Sequence, residues 1–252
     1  MPAQQHTGSS RALPRHVVLI PDGNGRWALQ HGKPAAAGHL QGARSVEGFL
    51  KACRKLQIPV ATVWAFSTEN WGREGVEVKA IMRLVDFYLR RNRARFRKEQ
   101  MRFRHLGRRD RLAERYPRLM ELIRMLEEET RDYRRYTLNL ALDYGGRDEV
   151  LRAVRRLVGE SERPEAVTWE RLRESLDTAD QPDVDLIIRT SGEHRLSGIL
   201  PLQSIYAELL FIPRLLPELS EKDFTEALLG FTNRDRRFGL RPDGPAEPVV
   251  GE

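Results

Sequence analysis

The 252-residue sequence predicts an α/β fold in a single domain, a central parallel sheet of about six strands flanked by helices. Apolar runs at 16–20, 60–66, 101–106, 136–142, 184–188 and 206–212 have strand length and alternate with segments of helical periodicity. Between the first two runs, Leu40, Ala43, Val46, Phe49, Leu50, Cys53 and Leu56 recur at helical spacing. Strand, helix and strand in that order form a crossover, which makes the two strands parallel. Three of the runs lead directly into polar clusters beginning at Asp22, Ser67 and Arg189. Ligands bind at the carboxyl ends of strands in such sheets, so the three clusters are expected to converge on one site.

In chain order, residues 1–15 are polar and lack an apolar signal core, so they read as a disordered lead-in. The first strand, 16–20, stops at the turn Pro21-Asp22-Gly23. After the 38–56 helix and the 60–66 strand, residues 76–97 form a long helix with Val78, Ile81, Met82, Val85, Tyr88 and Leu89 on one face. The 101–106 strand alternates basic and apolar residues. Residues 112–133 read as one helix rich in Arg and Glu at ion-pair spacing. The 136–142 strand runs into Asp143-Tyr144-Gly145-Gly146-Arg147 and a helix that continues to Val158, and Thr168 caps a short helix ending at Leu176. The strands at 184–188 and 206–212 and a helix over 221–237 complete a single domain spanning 16–239. Residues 240–252, with Pro and Gly and little apolar content, read as a disordered tail.

Composition narrows the partners. The longest apolar stretches, such as 199–202 and 209–212, are far too short to span a bilayer. The single cysteine, Cys53, excludes an internal disulfide and fits a reducing cytoplasm. A net charge of +7 favours an anionic partner: nucleic acid, a phosphorylated small molecule or a negative membrane surface. The arginine-rich stretch 90–118 is the candidate nucleic-acid footprint. Its charges are interleaved with Glu99, Asp110 and Glu114, and its aromatic residues lack the spacing of a stacking platform, so no nucleic-acid partner is expected.

The polar clusters specify the chemistry. In Pro21-Asp-Gly-Asn-Gly-Arg-Trp-Ala28, Gly23 and Gly25 let backbone amides approach a ligand at a helix start, where an anion is favoured. Arg26 adds a fork suited to phosphate, and Asp22 a hard oxygen for Mg²⁺, which commonly bridges to a substrate phosphate. A bare Gly-x-Gly reads as a turn with Asp22 as its cap; Asp, Asn24 and Arg within six residues shift the reading to a diphosphate bound through magnesium. Ser67-Thr-Glu-Asn-Trp-Gly-Arg73 offers a hydroxyl, an amide and a cation, or else simply a capped helix entry. Trp27, Trp64 and Trp71 place aromatic surface beside both clusters, as an amphiphile with an anionic head and a hydrocarbon tail requires. Arg189-Thr-Ser-Gly-Glu-His-Arg195-Leu196-Ser197 can hold a second diphosphate or be a basic surface loop, and Glu208 can add a metal-ligating carboxylate. No Asp-Asp-x-x-Asp run, nucleotide-binding phosphate loop or hydrolase motif is present.

These segments resemble the cis-prenyltransferase family, whose best-known members make undecaprenyl diphosphate. The resemblance runs from about His16 to Gly239 and includes Gly38-His39, Ala65-Phe66-Ser67-Thr68-Glu69-Asn70-Trp71, Asn139, Tyr144 to Arg147, Ile188 to Glu193, Tyr206-Ala207-Glu208 and Arg236-Arg237-Phe238-Gly239. It implies that Asp22 holds Mg²⁺ and assists departure of an allylic diphosphate. The amides of Gly23, Asn24, Gly25 and Arg26 would bind that diphosphate, with His39 and Arg73 nearby. Asn70 and Ser67 would lie near the reacting carbons, Arg189, Arg195 and Ser197 would hold the second diphosphate, and Glu208 would ligate metal. Trp27, Thr68, Glu69, Trp71 and Leu196 belong to the same motifs and join the substrate-binding set. The family further implies a hydrophobic tunnel for the tail and a cytoplasmic homodimer, with peripheral membrane contact compatible. Its substrates are dimethylallyl, geranyl or farnesyl diphosphate, with isopentenyl diphosphate in chain elongators.

Several positions depart from the family pattern. Pro34-Ala35-Ala36-Ala37 replaces a segment that usually carries arginine, and Pro21 stands where Met is usual. After Ser197 the usual Asn-Phe-Leu-Leu-Trp-Gln becomes Gly198-Ile-Leu-Pro-Leu-Gln203, and Ile205 replaces a small residue. Phe87 and Tyr88 crowd the tunnel helix. With the second-substrate half altered, the expected product is a short-chain or head-to-middle, lavandulyl-type prenyl diphosphate. The alternative is an ordinary cis-polyprenyl diphosphate synthase. A non-catalytic partner subunit is the remaining reading, and the retained Asp22, Asn24, Arg26, Asn70, Arg189, Arg195 and Glu208 count against it.

Overall fold

The computed structural model describes residues 12–160 and 164–233. The lead-in up to residue 11, the end of the expected last helix, the Arg236 to Gly239 motif and the tail lie outside them. Six parallel strands form one sheet in the order β3-β4-β2-β1-β5-β6. They are β1 (His16–Ile20), β2 (Val60–Ser67), β3 (Met101–Leu106), β4 (Tyr136–Tyr144), β5 (Leu186–Arg189) and β6 (Glu208–Phe211). β1 and β5 are buried along their whole length, as continuous apolar runs in a covered parallel sheet should be.

The helices are α1 (Asn24–Gln30), α2 (Ala35–Lys55), α3 (Gly75–Lys98), α4 (Arg109–Arg115), α5 (Pro117–Thr130), α6 (Gly146–Gly159), α7 (Trp169–Glu174) and α8 (Glu221–Gly230). Phe49, Met82, Ile123 and Phe224 from α2, α3, α5 and α8 share the larger core with Leu19, Phe66 and Phe103 of the sheet. A smaller core joins Val18, Ile20, Ala141 and Tyr144 to Ile199 and Leu200 of the altered segment. β1 lies between β2 and β5, so the connections leave it in opposite directions and open a crevice at its carboxyl end.

Two expectations are corrected. The single helix over 112–133 is instead α4 and α5, broken at Tyr116 (φ −139°) because Pro117 starts α5 and disfavours helical geometry in the residue before it. The last strand is shorter than 206–212. Thr168 does cap α7, its side chain accepting from the Arg171 amide. The β3 edge is covered: the Phe103 and His105 amides donate to Thr130 Oγ1 (3.0 Å) and Glu127 Oε1 (2.9 Å) of α5.

Candidate active site

The turn from β1 into α1 is built around Gly23, whose φ of 105° lies in the left-handed region and whose added Cβ would stand 2.9 Å from Leu215. The first intrahelical bond closes from the Trp27 amide to the Gly23 carbonyl (2.9 Å), which leaves the amides of Asn24, Gly25 and Arg26 without a helical acceptor. Thr190 anchors the turn: the Asp22 amide donates to Thr190 Oγ1 (2.9 Å), and that hydroxyl donates to the Asp22 carbonyl (2.6 Å). From the other side α2 supports it through two glycines one turn apart. A Cβ on Gly38 would lie 2.1 Å from the Asn24 carbonyl oxygen, and one on Gly42 would lie 2.0 Å from Asn24 Oδ1. Gly42 was not singled out from the sequence, although paired glycines inside a helical segment are the signal of such a close approach.

Arg189 joins the first and third clusters. Its Nη2 donates to Asp22 Oδ2 (2.9 Å), while Nη1 donates to Ser197 Oγ (2.9 Å) and to the Arg195 carbonyl. The residue is 4% exposed, and its Nε has no partner among the described residues. A buried unpaired donor costs about 1–3 kcal/mol, which an acceptor brought against Nε would relieve. Arg26 reaches Ser191 Oγ (2.6 Å), Glu193 (3.2 Å) and Asp22 (3.5 Å). The Ser67 amide donates to Asn70 Oδ1 (3.0 Å), closing a capping box that folds the second cluster into a 3₁₀ turn, Thr68–Gly72. His39 on α2 and Arg73 both bond Glu77 of α3, at 3.2 and 2.9 Å. Burial lowers the His39 pKa against the opposing pull of Glu77, so the imidazole is neutral at pH 7.

One cavity is lined by Asp22, Gly23, Asn24, Gly25, Arg26, His39, Ser67, Asn70, Arg73, Arg189 and Ser197, together with Trp64 and Glu77. The three clusters therefore converge as expected from their positions after strands. Seven predicted site residues do not line it. Trp27 stacks on His31 (4.2 Å) under Lys33. The Thr68 hydroxyl packs against Gly145, and Trp71 is engaged by Asp143. Burial opposes ionisation of Glu69, but its own turn amide and the Ser67 and Thr68 hydroxyls hold its carboxyl below the usual range. Arg195 is exposed and pairs with Glu193, and Leu196 packs on the smaller core. Glu208 opens β6 in register with Leu186, three residues before the Arg189 level, or about 10 Å along the strand. Within one chain it is not beside Asp22.

A second, apolar cavity shares Pro21, Asn24, His39, Ala65 and Ile81 with the first. It continues between α2 and α3 past Val46, Leu50, Val85 and Tyr88 to Phe96, Met101 and Phe103. Tyr88 lines it, whereas Phe87 turns outward and is 51% exposed. The wall expected from three tryptophans is instead built of aliphatic residues with Tyr88, Phe96 and Phe103, and Trp64 alone of the three tryptophans borders either cavity. Among the described residues no group of three or more His, Cys, Asp or Glu side chains could form a self-sufficient metal cage. Mg²⁺ takes one or two carboxylates plus substrate phosphate and water, and Asp22 beside anion-binding donors fits that demand.

An anion-binding cavity opening into an apolar one is the site of an enzyme for molecules with a charged head and a hydrocarbon tail. The chain matches the family described as putative undecaprenyl diphosphate synthase over residues 20–239. It is 43% identical over 230 residues to an isoprenyl transferase of Aquifex aeolicus, covering 91% of this chain and 97% of the relative. Its fold is similar to that of lavandulyl diphosphate synthase from Lavandula x intermedia, solved with dimethylallyl diphosphate (TM-score 0.83, 30% identity, 90% of this chain and 98% of that one). It is also similar to a probable undecaprenyl diphosphate synthase from Campylobacter jejuni (TM-score 0.75, 32% identity, 90% and 99%). The chain belongs to the undecaprenyl diphosphate synthase family of cis-prenyltransferases and is a prenyl-transferring enzyme.

Proposed function

We propose that this enzyme elongates an allylic diphosphate with isopentenyl diphosphate and houses the growing tail between α2 and α3. The depth of the apolar cavity carries this reading. Its lining on α3 runs from Ile81 to Phe96, 15 residues or about 22 Å at 1.5 Å per residue, room for several isoprene units.

In this mechanism the allylic carbon–oxygen bond breaks and negative charge gathers on the leaving diphosphate. The amides of Asn24, Gly25 and Arg26 are already placed to receive it, and the Arg26 guanidinium joins them by turning from Glu193 and Ser191. Bound at Asp22, Mg²⁺ would supply Lewis-acid stabilisation of the same charge. Arg189 and Ser197 hold the second diphosphate, with Arg195 turning from Glu193 to join them. Ser67 and Asn70 attend the carbon from which the condensation releases its proton, and the apolar walls keep water from the allylic cation. In this reading the enzyme works as a cytoplasmic homodimer: β6 is the terminal strand of the sheet among the described residues, and Ile205, Tyr206 and Leu209, on it or just before it, are 62, 66 and 38% exposed.

A head-to-middle, lavandulyl-type coupling is the second reading. It is favoured by the likeness to lavandulyl diphosphate synthase and by the rebuilt segment after Ser197, where Ser197, Gly198 and Leu200 all have positive φ and Pro201 packs on Gly146. Incubation with dimethylallyl, geranyl or farnesyl diphosphate, each with and without isopentenyl diphosphate, separates the two. Polyprenyl products that need isopentenyl diphosphate and vanish with EDTA are expected. Product formed from an allylic diphosphate alone would replace elongation by head-to-middle coupling.

A further inference from the structure

Outside the cavity, Trp71 is held on every side. Its Nε1 donates to Asp143 Oδ1 at 2.8 Å, and its ring stacks with Tyr116 (6.2 Å) and meets Phe66 edge-on (5.1 Å). The guanidinium groups of Arg115 and Arg111 lie over it at 4.5 and 5.7 Å. Asp143 is fully buried and receives Arg111 through both Nε, at 2.8 Å to Oδ2, and Nη2, to Oδ1. Its φ of 54° is unusual for a residue with a side chain, and it is enforced from outside. The Arg108 amide donates to the Asp143 carbonyl (3.0 Å), and Gly107 leaves no room between that carbonyl and the β3–α4 turn.

The sheet ladder does not do this work by itself. β2 pairs regularly with β4 up to Trp64, then shifts register between Trp64 and Phe66 and again between Phe66 and Ser67. The irregularity falls where β2 delivers Ser67 and Asn70 to the cavity. We propose that Asp143, Arg111 and Trp71 form a positioning triad that reinforces the irregular end of the ladder and fixes the Ser67–Asn70 turn against the substrate. This rests on the reading of Ser67 and Asn70 as substrate-facing groups. Arg111 orients the carboxylate, the carboxylate orients the indole, and the indole sets the turn one residue away.

Trp71→Phe removes the N–H while retaining the stacking, and Arg111→Ala removes the guanidinium. Displacing reacting groups by about 1 Å can cost on the order of 10²-fold. Both variants should therefore lose kcat by roughly ten- to a hundredfold, with KM for each diphosphate within about threefold and circular dichroism unchanged. Millimolar guanidinium should restore part of the Arg111→Ala loss. Amide hydrogen exchange over residues 67–72 should accelerate in both variants, a readout that holds whatever reaction the enzyme performs. Unaltered exchange in Trp71→Phe would overturn the triad. So would accelerated exchange with wild-type kcat, or a loss of activity that only tracks unfolding. Failure of the proposed elongation would show instead in the wild-type enzyme's products.

Discussion

Glycine does two different jobs at the diphosphate loop, one at Gly38 and one at Gly25, and the substitution Gly→Ala should separate them. At Gly38 a methyl would stand 2.1 Å from the Asn24 backbone carbonyl, so the loop must move away from α2. Overpacking of that kind costs about 1–3 kcal/mol, offset in part by the better helix propensity of alanine. At Gly25 a new methyl meets nothing within 4 Å, but Gly25 lines the anion cavity. Gly25→Ala should leave the melting temperature unchanged or raised and increase KM for the allylic diphosphate. Gly38→Ala should lower the melting temperature by several degrees. Equal thermal shifts in the two variants would contradict the division.

At the scale of elements, the order of strands and helices was legible because each short apolar run alternates with a helical stripe. The site was legible because three runs end in charge. Pro117 was equally visible, and reading 112–133 through it ignored a residue that forces Tyr116 out of the helix. The tryptophans misled for a physical reason. Periodicity says that Trp27 and Trp71 belong to structured segments, but only three-dimensional packing shows that His31, Lys33, Asp143 and Tyr116 already occupy their faces. The two remaining sheet borders differ in the same way. β3 is sealed by α5, whereas the β6 border exposes Leu209 on the strand and Ile205 and Tyr206 just before it. Charged replacements at Ile205 and Leu209 should convert a dimeric mass in light scattering to a monomeric one; a wild-type monomer at micromolar concentration would discard that surface as an interface.

For the molecule as a whole, stability should fall in mild acid. His16 is fully buried at the amino end of the sheet, bonded to Thr62 Oγ1 (2.8 Å) and the Pro182 carbonyl (2.9 Å). Burial lowers its pKa to about 4, against the raising effects of Pro182 and Asp185. The unfolded chain takes up its proton near pH 6.5 and the folded one does not. Stability is therefore complete above pH 6.5 and declines as pH falls towards 4, by roughly 3 kcal/mol for the 2.5-unit interval at 1.36 kcal/mol each. Burial lowers His39 and His105 as well, which adds to the same slope. Urea unfolding of His16→Gln between pH 7 and 5 should show a visibly shallower dependence than the wild type; identical slopes would assign the acid sensitivity elsewhere.

The contact between Asp22 and Arg189 ties two binding events together. Each group neutralises the other, so a diphosphate that draws the guanidinium away exposes a carboxylate, and a cation that takes the carboxylate exposes a guanidinium. By reciprocity, whatever factor the anion adds to the affinity of the cation, the cation returns to the anion. Under the proposed function, this contact would make the enzyme a receptor for ion and substrate as a couple, with little appetite for either by itself.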